Sequence, residues 1–305
     1  MELRELRYFL AVVDAGSIGK AARRLGLTQP ALTRSIRALE SDLGVAIFER
    51  SSNGATLNKY GRALEQRARS MIVQSERARD ELRELAGASR GRIVVGTSPS
   101  FAGTVLLPHV LPAFRKARPG LEIVIVEGFL SDSLPMLASG EMDFACNPMS
   151  DGIAPGSLVS EILVRCERVV PVTRGDSPIV SRDRVTLQDL QQGPWAFSRV
   201  GENRNRVNEI YKSHGLPVPE AAMIFNTISL AKEAVRHGPF IAMIARSAVR
   251  DEVVAGIFGI VPAPDLVLER SISAFYRSDV ALAPAARLFL DHIKWACAAE
   301  ASQFA

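Results

Sequence analysis

The stretch GSIGKAARRLGLTQPALTRSIRALESDLGVAIFER, residues 16–50, decides the fold of the first part of the chain. Ser17 is suited to cap a short helix, and Gly26 is suited to end it in a left-handed conformation. Thr28 is suited to cap the next helix, with Pro30 in its first turn, where a missing N–H costs little. A helix, a tight turn with glycine and a second helix form the helix-turn-helix arrangement.

The helix that begins after Thr28 has two contrasting faces. Leu32, Ile36 and Leu39 recur at the spacing of one helix face and predict the side that is buried. The opposite side carries residues that suit base edges and phosphates, namely Gln29, Pro30, Thr33, Arg34 and Arg37. We expect this side to enter the major groove of double-stranded DNA. The alternative is an ordinary solvated helix face.

Segments on either side extend this small domain, which we place at residues 1–58. An amphipathic helix is predicted upstream, where Leu3, Leu6, Phe9, Leu10 and Val13 form one stripe. Downstream, a turn cluster between two short apolar runs predicts a hairpin, or wing. Arg50, Ser52 and Asn53 are placed there to contact a phosphate or the minor groove. The alternative for the wing is an exposed turn without contacts.

A heptad pattern follows the hairpin and is typical of helices that pair. Small and apolar residues recur at alternating spacings of four and three, at Leu57, Gly61, Leu64, Ala68, Met71, Ser75, Ala78, Leu82 and Leu85. The pattern predicts a linker helix over residues 59–88 that pairs two copies of the chain and places two DNA-reading helices side by side. The alternative is a single solvent-exposed helix. The sequence GASRG, residues 87–91, predicts a hinge.

From residue 91 onward the pattern changes to strands that alternate with helices. This predicts an α/β region over 91–305 with a largely parallel sheet. We expect two subdomains, the first built from about 91–163 and 269–305 and the second from about 164–268. Two crossovers between them, near Glu161–Cys166 and Leu266–Arg270, are expected to let the subdomains flex as in periplasmic binding proteins.

Charge and composition limit the class of partner. Residues 1–90 hold sixteen basic and eleven acidic side chains, whereas the whole chain has a formal net charge of +4. Positive charge confined to the first third favours an anionic partner, and nucleic acid in particular. No stretch reaches the roughly 18 apolar residues of a membrane span. The chain begins without an export signal, so we expect a cytoplasmic protein.

The sequence gives no sign of catalysis or of a metal site. Its three cysteines, Cys146, Cys166 and Cys297, are far apart and odd in number, which predicts buried thiols. The histidines have no ligand spacing and are expected on surfaces or at helix ends; they are His109, His214, His237 and His292. Motifs for nucleophilic catalysis, nucleotide binding and zinc are missing. We therefore expect a protein that is not an enzyme and holds no metal or cofactor.

Residues 16–61 together resemble the DNA-binding domain of LysR-type transcriptional regulators. The family pattern of a hydroxyl, Gln-Pro-Ala-Leu and a second hydroxyl is met by Thr28–Thr33, and Leu-Glu-x-x-Leu-Gly by Leu39–Gly44. Ile47–Arg50 matches Leu-Phe-Glu-Arg. Ile18 replaces an aromatic residue, Gly19 loosens the first turn of its helix and Asn58 replaces a frequent threonine. None of these departures affects a predicted contact residue.

The resemblance implies an α/β protein with an N-terminal all-α winged helix-turn-helix, a long linker helix and a C-terminal pair of periplasmic-binding-protein-like α/β subdomains. It implies a sequence-specific transcriptional regulator controlled by a small organic effector bound between the two subdomains. Partners would be promoter or operator DNA, RNA polymerase and further copies of the chain, as a homodimer through the linker helix and a homotetramer. The alternative function is an enzyme or a solute-binding module fused to a DNA-binding domain.

Ligands of open α/β sheets bind beyond the carboxyl ends of the strands, where Thr97, Ser98 and Ser100 follow the first strand. The resemblance adds further effector-binding residues at corresponding positions, namely Phe129, Leu130, Asn147, Ser198, Arg199, Asn226 and Thr227. Arg199 would favour a carboxylate or a sulfate. The alternative for each polar residue is a cap or loop residue without a ligand contact.

Overall fold

The computed structural model describes residues 1–51, 54–85, 91–149, 158–199 and 202–299. Contacts divide the chain into two units, Met1–Gly91 with Pro135–Glu141 and Arg92–Leu134 with Met142–Ala305. The predicted contact residues Ser52 and Asn53 lie outside the described residues, as do the side chain of Arg50 and most of the predicted hinge.

The first unit contains the predicted helix-turn-helix and hairpin. Its elements are α1 Leu3–Ala15, α2 Ile18–Leu25, α3 Gln29–Leu43, β1 Phe48–Ser51, β2 Gly54–Leu57 and α4 Lys59–Leu85. Ser17 and Thr28 occupy the predicted N-cap positions in an extended conformation, without a side-chain cap hydrogen bond. Gly26 ends α2 at φ 66°, where a side chain would be strained.

One hydrophobic core holds this unit together. Phe9 of α1 and Leu32, Ile36 and Leu39 of α3 are buried in it. Leu3, predicted on the buried stripe of α1, is 40% exposed. It lies at the first residue of the helix, where the core no longer covers the chain.

The first half of α4 packs on the same core. The heptad pattern predicts instead that this half pairs with a second copy of the chain. Gly61 and Ala68 are buried, and Leu64 is partly buried against the core. These positions contact their own domain, so they are not open to a second helix. Met71 and Leu82, further along the seam, are 41% and 67% exposed.

The second unit is built on one mixed sheet. Its strands are β3 Gly91–Thr97, β4 Leu121–Glu127, β5 Phe144–Met149, β6 Leu158–Arg174, β7 Trp195–Ser198, β8 Ala221–Phe225, β9 Ile241–Ala245, β10 Phe258–Ile260 and β11 Leu268–Arg277. Their order is β4-β3-β5-β11-β6-β9-β7-β8, with β10 also paired to β6.

The expectation of a largely parallel sheet is wrong at the centre. The pairs β3–β5, β7–β8 and β7–β9 are parallel. However, β11 runs antiparallel to both β5 and β6, and β6 runs antiparallel to β9 and β10. The two long strands return through the middle of the sheet, and this reverses the local pairing.

Helices cover this sheet. They are α5 Pro99–Phe101, a π-helical stretch Ala102–Val110, α6 Leu111–Ala117, α7 Leu130–Ser139, α8 Leu187–Gln191, α9 Asn203–Ser213, α10 Ile228–His237, α11 Arg250–Val254 and α12 Pro284–Ala299, with 3-10 turns at Arg246–Val249 and Pro264–Leu266. α5, the π-helical stretch and α6 follow one another without a gap, so this helical segment begins at Pro99.

Separate hydrophobic cores lie along β6 and β11. Val164 and Ile272 belong to a core with α12, whereas Val169 and Leu268 belong to a core with Trp195. Each long strand therefore passes from one core to the other within about five residues. Among the described residues, no helix has both the length and the apolar composition needed to cross a membrane.

Candidate functional site

The outward face of α3 carries the predicted DNA-contacting residues. Gln29, Pro30, Arg34 and Arg37 are exposed, and Thr33 is half-buried on the same side. Gly19 of α2 leaves room for the Gln29 side chain, because a Cβ atom on Gly19 would lie 3.3 Å from Oε1 of Gln29. The departure from the family pattern at Gly19 thus lies directly beside the face.

Positive charge that is not committed to ion pairs gathers on α2 and α3. Within the described residues, Arg34 and Arg37 form no ion pair, and the same holds for exposed cations of α2, namely Lys20, Arg23 and Arg24. On the side of α1 and α4, by contrast, Arg7 pairs with Glu76 and Arg69 pairs with Asp14. The surface of α2 and α3 is therefore free to neutralise phosphates. Residue periodicity alone did not indicate the α2 cations as site residues.

The wing is fixed against the turn between α1 and α2. The strands β1 and β2 pair antiparallel, with Arg50 opposite Ala55. Ala55 N donates to Gly16 O at 3.0 Å, and a Cβ atom on Gly54 would lie 2.7 Å from that oxygen. The backbone of the wing thus has a defined place beside α2, while contacts by its tip remain a prediction.

The second unit contains a cavity of about 440 Å³. Eight of the ten predicted effector-binding residues line it, namely Ser98, Ser100, Phe129, Leu130, Asn147, Ser198, Asn226 and Thr227. Much of the remaining lining is apolar, including Phe225, Ile228, Met243 and Ile244. A cavity of this size with an apolar body and a few polar groups is typical of small-molecule sites.

Thr97 and Arg199 are not part of the lining, so the structure does not bring them together with the other eight predicted residues. Thr97 is fully buried, and its hydroxyl donates to Ser98 O at 3.2 Å. Arg199 is exposed, and its backbone N donates to Phe225 O at 2.7 Å. Successive side chains of an extended segment point to opposite sides, so Ser198 faces the cavity and Arg199 does not.

One end of the cavity is formed where β3 and β5 end. Ser98 N donates to Cys146 O at 3.2 Å, which holds Ser98 beside Asn147. The Oγ atoms of Ser98 and Ser100 lie 3.4 Å apart, and Nδ2 of Asn147 donates to Gly128 O at 3.0 Å. Thr227, on the far side, caps α10 by accepting from Leu230 N at 3.3 Å.

The cationic residue of the lining is Arg270, which the sequence did not indicate. Its Nε donates to Oε2 of Glu167 at 2.6 Å, and the Glu167 side chain is 1% exposed. The two residues face each other across β11 and β6, at the point where these strands pass between the two cores. Buried carboxylates need such a partner, so Glu167 holds the guanidinium in place and balances its charge.

The thiols do not provide a reactive group at the cavity. Cys146 and Cys297 are buried as predicted, whereas Cys166 is only half-buried. Burial raises the pKa of the Cys146 thiol well above its ordinary value, and it raises the pKa of Cys297 to about 12. Both thiols therefore stay protonated at neutral pH.

Comparison with known proteins decides the family. Residues 3–62 match the bacterial regulatory helix-turn-helix proteins of the lysR family, and residues 86–298 match the LysR substrate binding domain. The chain belongs to the LysR family of transcriptional regulators. As a LysR-type regulator it combines a DNA-binding helix-turn-helix in the first unit with an effector-binding domain in the second.

Full-length relatives share this organisation. An uncharacterised HTH-type transcriptional regulator of Escherichia coli K12, YeiE, is 30% identical over 296 residues, which cover 95% of this chain and 96% of that protein. The regulator CbbR of Xanthobacter flavus is 29% identical over 96% of this chain and 87% of its own length. The structure of full-length CbnR with its target DNA has a TM-score of 0.71 at 23% identity, covers 97% of this chain and 100% of that one, and supports the fold.

Proposed function

We propose that this LysR-type regulator binds promoter DNA through the outward face of α3 and that a small organic molecule in the cavity controls the binding. The observation that carries the proposal is the cavity itself. It lies in the unit that matches the LysR substrate binding domain, and its lining gathers eight residues from separate strand ends and helix starts.

In this proposal, Gln29, Thr33 and Arg34 contact base edges, because amide, hydroxyl and guanidinium groups form the common pairings in the major groove. Arg37 and the α2 cations contact phosphates, and Arg50, Ser52 and Asn53 of the wing contact the flanking backbone or minor groove. The CbnR structure, which holds a LysR regulator on its target DNA, supports this use of the fold.

The proposal treats the chain as a regulator and not as an enzyme, with no cofactor besides the organic effector. Two copies pair through the exposed half of α4, where Met71 and Leu82 present apolar side chains, and pairs assemble further into a tetramer. RNA polymerase is the proposed partner on the promoter.

The DNA-binding part is tested with the purified full-length protein. Genomic fragments that it retains at about 150 mM salt are sequenced, and a retained site is compared with random DNA in gel shifts. We expect the site to bind at least about a thousandfold more tightly, as is usual for specific regulators. Equal affinity for both DNAs would contradict the proposed function as a sequence-specific regulator.

The effector part is tested with a matched pair of variants. Organic acids, amino acids and sugars are first screened for a rise in melting temperature, because a molecule that binds only the folded protein stabilises it. Ser100→Ala, inside the cavity, should remove the effect of a screened compound on operator binding without changing operator binding itself. Ser229→Ala, an exposed α10 position outside the lining, should respond like the wild type. A normal response of Ser100→Ala would exclude that residue from the site.

A further inference from the structure

Asn147 lines the cavity, and one of its side-chain atoms is an acceptor that no described residue uses. The residue is fully buried, and its Nδ2 is engaged by Gly128 O at 3.0 Å. Its Oδ1 is buried as well and accepts no hydrogen bond from the described part of the chain. An unpaired buried acceptor costs folding free energy, so its place in the lining of a cavity indicates a partner that arrives with the ligand.

Hydroxyl donors lie next to this acceptor. Ser98 Oγ already accepts from Phe101 N at 3.4 Å, and it lies 3.4 Å from Ser100 Oγ. A hydroxyl that accepts one hydrogen bond still carries its own hydrogen for donation. Since Ser98 is held beside Asn147 by the hydrogen bond to Cys146 O, this end of the cavity offers donors and an acceptor side by side.

The lining does not favour a ligand that carries only acceptors. Among its described residues, the charged ones are Arg270 and Glu202. The guanidinium of Arg270 is already balanced by Glu167, 2.6 Å from its Nε. A simple carboxylic acid would leave Oδ1 of Asn147 without a partner, whereas an acid that also carries a hydrogen-bond donor would supply one.

We propose that the effector is a small acid with a hydroxyl or amino group on the carbon next to its carboxylate, that is, an α-hydroxy or α-amino acid. Its donor binds Oδ1 of Asn147, and its carboxylate accepts from the hydroxyl of the Ser98–Ser100 pair whose hydrogen is not used between the two. An apolar body then contacts Phe129 and Ile228. This inference rests on the proposed function, because it takes the cavity as the effector site.

The test uses three series of acids. Within each series the carbon skeleton is the same and only the hydrogen-bond donor differs. Binding of full-length protein is measured by calorimetry and thermal shift with butyrate, 2-hydroxybutyrate and 2-aminobutyrate, with 4-methylpentanoate, its 2-hydroxy derivative and leucine, and with 3-phenylpropionate, 3-phenyllactate and phenylalanine. In at least one series, the hydroxy or amino acid should bind at least about tenfold more tightly than the acid without a donor.

A variant links this preference to Asn147. Asn147→Leu keeps a side chain of similar size but lacks the acceptor, so it should lose the preference within that series. If this variant does not fold, the comparison in the wild type still decides the outcome.

The proposal is overturned if the donor-free acid of every series binds as tightly as its partners, or if no α-hydroxy or α-amino acid of the panel binds. Sequence-specific DNA binding that responds to a sugar or to a donor-free acid would overturn this inference alone. Failure to select any DNA site would count against the proposed function instead.

Discussion

The arginines of the first unit differ in what their guanidinium groups contact. This difference indicates which part of α3 is suited to contact DNA. At the far end of α3, Asp42 accepts a hydrogen bond from the Met1 ammonium group at 2.6 Å, and this bond raises the pKa of that amino group. Arg34 and Arg37, nearer the start of α3, have no such partner among the described residues. Cations already held in ion pairs must break them before they contact DNA, so the first turns of α3 are the part suited to reading it.

Arg34→Ala is expected to weaken binding to the specific operator by about 1 to 3 kcal/mol and to relax the preference at one base position. The physical reason is the loss of a bidentate contact to a base edge. Gel shifts on the operator and on random DNA measure the effect. Arg7→Ala serves as the control, because that guanidinium is paired with Glu76. An equal loss on both DNAs would assign Arg34 to a phosphate and not to a base.

Cavity residues differ in how far the sequence predicts them. Ser98, Asn147 and Thr227 follow strands or begin helices, and both places are visible from residue patterns, so the structure finds them in the lining. Arg270 lies inside a strand, where alternation gives two faces but not which face borders a cavity. The same ambiguity applies to Arg199, which stands one residue beyond Ser198 and does not line this cavity.

At the scale of elements, the start of α4 is tied to the segment between α3 and the wing. Asn58 caps α4 by accepting from Gly61 N at 3.0 Å, and its Nδ2 donates to Ala46 O at 2.7 Å. Ile47 N donates to Oε1 of Glu40 on α3 at 2.9 Å. Hydrogen bonds between side chains and the backbone therefore connect the start of α4 to α3, and Asn58 performs the capping that a threonine would provide.

Gly61→Ala should disturb this connection. The added Cβ would lie 2.2 Å from Ile47 O, which is a backbone atom, so α4 must shift. Overpacking of this kind costs about 1 to 3 kcal/mol. We expect a lower melting temperature of the first unit and weaker operator binding, measured by thermal denaturation and gel shift.

Gly19→Ala provides the matched control for stability. Its Cβ would meet only the flexible end of Gln29, at 3.3 Å, and alanine favours a helix over glycine by up to about 1 kcal/mol. Its melting temperature should stay level or rise. If Gly61→Ala and Gly19→Ala have the same melting temperature, the close approach of α4 to Ile47 O does not contribute to stability.

In the second unit, a carboxylate on β6 fastens α12 to the sheet. Glu161 forms an ion pair with Lys294, accepts from the Tyr276 hydroxyl and lies 3.3 Å from Nη1 of Arg287. Burial tends to raise the pKa of Glu161, but the hydrogen bonds from Lys294, Tyr276 and Arg287 outweigh it, so the pKa lies below its ordinary value of 4.5.

Glu161→Gln is expected to destabilise the second unit at pH 7 by about 1 to 3 kcal/mol, the range for hydrogen bonds to a charged group. A carboxyl group with a lowered pKa in the folded state contributes stability that is complete above pH 4.5 and is lost as the pH falls through the folded value. The difference from the wild type should therefore shrink on acidification, as measured by denaturation between pH 7 and pH 3.

Glu122→Gln is the control for this pH effect, because Glu122 forms only an exposed pair with Arg92 at 3.7 Å. Exposed pairs of this kind contribute little. A difference between Glu161→Gln and the wild type that stays constant over the whole pH range would contradict the role of the charge at Glu161.

The heptad pattern of α4 predicts a helix with an apolar stripe, but it does not identify what that stripe packs against. The described part of this helix is Lys59–Leu85. The pattern does not distinguish a partner in the same domain from a partner in a second chain, because both require the same apolar stripe. Gly61 and Ala68 pack inside their own domain, and only the later positions remain exposed.

In the whole molecule, the two parts of α4 have different roles. The first part packs against the core of the DNA-binding domain. The later part carries, at spacings of four and three, the exposed Met71, Ala78 and Leu82 and the half-buried Ser75. An exposed apolar stripe with small residues between is suited to close pairing with a second copy. A dimer formed there would double the number of phosphate contacts and hence raise operator affinity.

Met71→Glu combined with Leu82→Glu should therefore separate the dimer and weaken operator binding by at least about a hundredfold, because each half-site is then bound alone. Analytical ultracentrifugation gives the mass of the assembly, and gel shifts on full and half operators give the affinities. Val254→Glu is the control, since that side chain is 82% exposed in the other unit and should change neither measurement. A double variant that keeps the wild-type mass would place the dimer contact elsewhere. A variant that becomes monomeric but binds the full operator normally would mean that one copy reads the whole site.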